Sequence, residues 1–130
     1  MTELAPGVEG VLQRAVEAHH TTRRGEYDIF STPNLVLLLE EAAIEALAPY
    51  LREDQASVGT KVEVAHTAAT LLGQTVTATA TVTEVDRRRV AFSIRVLDDL
   101  EEIGSGTHER FIVDVPGFEE RLAQKSSQLG

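Results

Sequence analysis

The sequence predicts an α+β fold in which an antiparallel sheet curls around one long helix, and three observations predict it. A run of strong helix formers fills residues 35–47. After it the apolar period drops to two and stays there through four consecutive segments. The connections between those segments are only a few residues long, which makes neighbouring strands antiparallel.

Element by element, "GVLQRAVEAHHTT" reads as an opening strand with flanking turns, and "RRGEYDIFS" as an irregular connection. The helix is "STPNLVLLLEEAAIEALAPYL". Ser31, Thr32 and Asn34 are candidate caps, Pro33 suits a first turn, and Pro49 ends it. "REDQASVGT" reads as a polar connection with a turn glycine, Gly59. "KVEVAHTA" alternates, as does "TVTATATVTEV", with Val76, Ala78, Ala80 and Val82 inward and a row of threonines outward. "DRRR" is a hairpin connection into "VAFSIRVLD", whose Val90, Phe92, Ile94 and Val96 share a face. "DDLEE" turns into a last strand, "IGSGTHERFIVDV", where Gly104 and Gly106 signal a bulge or a close backbone approach. Pro116-Gly117 stops the sheet, and a short amphipathic helix follows. A helix apolar on nearly every side must be enclosed rather than merely covered. A curved antiparallel sheet around such a helix is the hot-dog architecture.

A length of 130 residues fits one domain, with no linker or repeat to divide it. Apolar content of 42% and charged content of 25% are those of a globular chain. Without cysteine there are no disulfides, thiolate nucleophiles or thiolate zinc sites. With no export-type start and no apolar run of bilayer length, the cytoplasm is the expected compartment. A net charge of −9 argues against nucleic acid and anionic membrane as partners.

Two ionisable groups stand where apolar ones belong. Glu40 has Val36, Leu37, Ala43 and Ile44 three and four residues away, so helical spacing places it on an apolar stripe. Glu41 has Glu45 four residues on and marks a wetter side. His66 shares a parity with Val62, Val64 and Ala68, the inward parity of its strand. A carboxylate and an imidazole that meet in a dry site tune each other's protonation and can act as base and activator. Taken singly, a core histidine or an interface glutamate explains each residue as well. Thr32 reads as a helix cap, a position that also sets its hydroxyl beside the amides of a helix start. Eight residues of helix separate Thr32 from Glu40 by about 12 Å. If both act on one carbonyl, the helix must start near Asn34 or Leu35.

"STPNLVLLLEE", "SVGTKVEVAHTAAT" and "EIGSGTHER" resemble the fluoroacetyl-CoA thioesterase-like family of hot-dog thioesterases, from about Phe30 to the last strand. The resemblance implies a homodimer, with a dimer of dimers as a further possibility, that hydrolyses acyl-CoA at the subunit interface. Coenzyme A is then part of the substrate, and no other cofactor or metal is implied. It implies catalytic roles for Thr32, Glu40 and His66, and substrate-side roles for Gly59 and Arg110. Arg23 and Glu26 stand where the family carries its lid aromatics, a departure that points to a small or medium acyl group rather than a fluorinated one. Thr32 or Glu40 could attack, or Glu40 and His66 could activate water. A non-catalytic acyl-thioester-binding domain and a hot-dog dehydratase or hydratase are the rivals.

Weaker signals remain. Arg87, Arg88 and Arg89 could reach coenzyme A phosphates or simply solvate a hairpin tip. His19, His20, His66 and His108 lack metal-ligand spacing. His108 shares a face with Arg110 and lines either the site or a subunit seam.

Overall fold

In the computed structural model, which describes residues 3–130, the chain opens with β1 (Glu9–Ala15) and a 3-10 turn at Ala18–His20. A small hairpin follows, β2 (Thr21–Arg24) and β3 (Tyr27–Phe30), and leads into α1 (Thr32–Leu47). Then come β4 (Gln55–His66), β5 (Thr75–Asp86), β6 (Arg89–Leu97), β7 (Glu102–Asp114) and α2 (Val115–Ser127). Five strands form one antiparallel sheet in the order β1-β5-β6-β7-β4, while β2 and β3 pair only with each other. This is the expected hot-dog arrangement.

The period-two residues behave as predicted: Val76, Ala78, Ala80 and Val82 of β5 and Val90, Phe92, Ile94 and Val96 of β6 are all buried. They pack against Leu35, Leu38, Leu39, Ala42, Ala46 and Leu47 of α1. Each fully buried leucine contributes about 2 kcal/mol relative to exposure. Small residues set the spacing where α1 crosses β1. A Cβ on Gly10 would stand 2.6 Å from the Ala42 carbonyl oxygen, so only glycine lets the helix backbone approach this closely.

Three expectations are corrected. "RRGEYDIFS" is not an irregular connection. Its outer parts are β2 and β3, turning at Gly25 with φ of 60°, and strands of four residues are too short to show a period. The hairpin is tied to the body by Phe30 N–H to Thr70 O (2.8 Å) and Leu72 N–H to Asp28 O (3.0 Å). "REDQASVGT" is not all connection, because Gln55 already begins β4, and Gly59 lies inside the strand, not in a turn. Finally, α1 is not enclosed: Leu37 and Ile44 remain 49% and 44% exposed on its open face. Beside that face, β4 is the edge of the sheet, with no strand on its outer side among the described residues.

Candidate active site

The site residues fall into two groups, and a bulge in β4 explains why they face one way. Gly59 pairs with Arg110 and Lys61 with Glu109, leaving Thr60 as an extra residue. The extra residue restores phase, so Gly59 shares the inward face with Val62, Val64 and His66, opposite Arg110, His108, Gly106 and Gly104 of β7.

The first group is Thr32 and His66. Thr32 Oγ1 lies 2.8 Å from His66 Nδ1. Burial lowers the pKa of His66 from its ordinary 6.5, against a smaller opposing contribution from the Ala68 backbone. The ring is therefore neutral near pH 7. With its proton on Nε2, Nδ1 accepts the Thr32 hydroxyl hydrogen, the arrangement of a base over a nucleophile or over a water in its place. Nε2 is buried and has no hydrogen-bond partner among the described residues. The pair borders a cavity of about 300 Å³ between the hairpin, the start of α1 and the end of β4. No side chain caps α1, whose first turn meets this cavity through Ser31 and Thr32.

The second group is built on Arg110, whose side chain is only 4% exposed. Its Nη1 donates to Glu40 Oε2 (3.1 Å) and to His108 Nε2 (3.2 Å). Nε donates to Ser57 Oγ (2.8 Å) and Nη2 to the Ser57 carbonyl (3.0 Å). Four of its donors are thus committed to the protein, so the guanidinium acts here as a clamp on Glu40. His108 Nδ1 lies 2.8 Å from the Lys61 carbonyl, which can only accept. The tautomer is therefore fixed: Nδ1 donates, and Nε2 accepts from Arg110. Gly59 closes the group. A Cβ there would stand 2.6 Å from Glu40 Oε2 and 3.3 Å from Arg110 Nη1, so any other residue displaces the carboxylate.

Burial is the main force holding the His108 pKa below 6.5. The Lys61 carbonyl opposes it, and the Arg110 charge adds to it. A histidine whose folded pKa lies below its unfolded value gives stability above the unfolded pKa, lost as pH falls toward the folded one. The melting temperature is therefore expected to fall on acidification below pH 6.5, and to fall less in His108→Gln, whose amide can accept from Arg110 and donate to Lys61. Equal acid slopes in both proteins would contradict this.

Glu40 and His66 make no hydrogen bond or ion pair with each other within one chain; each has its own partner. α1 also begins at Thr32, not near Asn34 or Leu35, so the rise of about 12 Å between Thr32 and Glu40 stands. Glu40 is a third exposed, 34%, close to Glu41 at 38%. What separates the two is the partner: Glu41 pairs with Arg14 (2.9 Å) at the surface. Ser57 is a member that sequence reasoning missed, since its segment reads as a connection. Arg88 and Arg89 are occupied by Asp114 (3.1 Å), Glu109 (3.1 Å) and Glu84. Among the described residues, no three His, Asp or Glu side chains form a metal-holding group.

The chain is similar to known proteins. The chain is 42% identical to the fluoroacetyl-CoA thioesterase of Streptantibioticus cattleyicolor over 99 residues, 76% of this chain and 71% of that protein. A solved structure of the fluoroacetyl-CoA thioesterase FlK superposes with a TM-score of 0.87 at 36% identity, covering 95% of this chain and 98% of that one. The crystal structure of a Thermus thermophilus hypothetical protein of the thioesterase superfamily gives 0.91 at 25% identity, covering 99% and 98%. Residues 13–116 match the family model described as fluoroacetyl-CoA-specific thioesterase, and the chain belongs to that family of hot-dog thioesterases.

Proposed function

We propose that the chain hydrolyses a small or medium acyl-CoA to free acid and coenzyme A, as a homodimer whose active sites lie between subunits. The observation that carries this reading is the split of the site into two halves. Each half contains what the other lacks: a Thr32–His66 pair on a cavity, and a carboxylate held by a buried arginine. The edge strand supplies a way to join them. Antiparallel pairing of β4 with its copy, centred between Val62 and Glu63, sets His66 opposite the partner's Gly59, beside the partner's Glu40. The same pairing covers the exposed Leu37 and Ile44.

In such a site an oxygen nucleophile, the Thr32 hydroxyl or a water in its place, loses its proton to His66 as it attacks the thioester carbonyl. The first-turn amides of α1 stabilise the oxyanion. His66 then returns the proton to the departing thiolate. Where Thr32 attacked, a water deprotonated by His66 next cleaves the acyl–Thr32 ester, releasing the acid and restoring the hydroxyl. The partner's Glu40 stabilises the imidazolium or orients the water. Such a base contributes about 10²–10⁴-fold to the rate. Coenzyme A enters as part of the substrate, and no other cofactor takes part. No helix among the described residues is long and apolar enough to cross a membrane, and we place the protein with its substrate in the cytoplasm.

The test is release of free thiol from acetyl-, butyryl- and hexanoyl-CoA, read with a thiol dye. The expected result is thiol from at least one. Binding without thiol release would instead assign a carrier or sensor domain, and hydration of an enoyl-CoA without thiol release a hydratase.

A further inference from the structure

We propose that the cavity beside Thr32 and His66 selects acyl groups that end in an anion, a carboxylate above all, and that Arg24 recognises that anion. The inference rests on the thioesterase reading of this cavity and adds its substrate class. The chain carries 21 Asp and Glu residues and a net charge of −9, yet within one chain none of these carboxylates borders the cavity, and in the proposed dimer the partner's Glu40 joins it beside His66. Its polar wall consists of Thr22, Arg24, Ser31, Thr32, His66 and Thr67. In a protein of this charge, such a cavity is a local attractor for anions.

Arg24 is the cation there. Among the described residues only Arg24, Arg87, Arg121 and Lys125 lack a carboxylate partner, and only Arg24 of these borders the cavity. Its neighbour Arg23 is held by Asp28 at 3.2 Å. Arg24 itself makes one hydrogen bond, from Nη1 to the Arg23 carbonyl (2.7 Å), which leaves most of its donors free for a bidentate acceptor. A hydrocarbon acyl chain would leave the Arg24 guanidinium unused. Phe30, Ile29, Ala68 and Ala69 supply apolar surface for only a short stem.

Coenzyme A also carries phosphates, and they offer arginine the same chemistry. The cavity favours the acyl end, because Arg24 shares a space of about 300 Å³ with the Thr32–His66 pair, whereas the pantetheine arm holds the phosphates far from the thioester.

The experiment has two arms. In the first, succinyl-CoA and the size-matched butyryl-CoA are compared for thiol release by the native protein and by Arg24→Gln, alongside the corresponding pantetheine thioesters. Native protein is expected to favour the succinyl group about ten-fold in kcat/KM on both carriers. Arg24→Gln should lose that preference while leaving butyryl hydrolysis within about two-fold. In the second arm, the non-hydrolysable thioethers S-(3-carboxypropyl)-CoA and S-butyl-CoA are titrated calorimetrically, and the same preference is expected in affinity. No preference in either arm overturns the proposal while leaving thioester hydrolysis intact. So does a loss in Arg24→Gln that is equal for both acyl groups on coenzyme A and absent on pantetheine, which would make the phosphates the ligand. A thioether preference without thiol release from any substrate would keep the anion subsite and overturn hydrolysis.

Discussion

Mixing the Glu40→Gln and His66→Ala proteins restores hydrolysis that neither possesses alone. Each substitution removes one half of the proposed site, and each homodimer is expected to lose about 10²-fold or more in thiol release. In a mixed dimer the defects segregate. One site receives both substitutions together, while the other keeps His66 from one subunit and the partner's Glu40. If subunits exchange at random, half the dimers are mixed and each carries one intact site of two, so about a quarter of native activity returns. The measurement is thiol release before and after co-incubation under conditions that exchange subunits, with sedimentation to establish the dimer. If activity stays at the sum of the parents after verified exchange, the carboxylate and the imidazole serve the same chain's site, and the intersubunit arrangement is wrong.

Replacing Arg110 with Met is expected to cost both stability and activity. The variant fills a similar volume but leaves His108 Nε2 and both Ser57 oxygens without their donor, and Glu40 without its counter-charge. Unmet buried acceptors and a broken ion pair together cost about 2–4 kcal/mol, discounted because Glu40 is a third exposed. Urea unfolding should register that loss, and thiol release should fall at temperatures where the variant is still folded, since Glu40 is no longer held. An Arg110→Met protein with native stability and native kcat would show that the clamp on Glu40 has no function.

The sequence was legible where one period ran unbroken. β5 and β6 alternate over nine or more residues, and every inward residue expected from that alternation is buried. It was less legible where the period breaks. Thr60 inserts one residue into β4, so parity counted back from His66 puts Gly59 on the wrong face and hides the start of the strand. Thr32, Glu40 and His66 could be singled out from helical spacing, parity and family resemblance. Their division into two groups could not, because spacing along one chain says nothing of a neighbour across an open edge. Arg110's commitment to Ser57 and His108 was equally hidden, since it depends on register between β4 and β7.

The hairpin of β2 and β3 belongs to neither the main sheet nor its hydrogen-bond ladder, and a single isolated bridge, Ile29 to Leu71, joins its strands to the chain beyond. It nevertheless walls the cavity beside Thr32 and His66, while Glu40, His66 and Arg110 are mounted on α1, β4 and β7. On the proposed reading, the hairpin contributes selectivity and the helix and main sheet the chemistry, with Phe30 of β3 anchoring the hairpin in the common core. On that reading such a molecule can acquire a new diet by exchanging residues 21–29, while Phe30 keeps its place in the core.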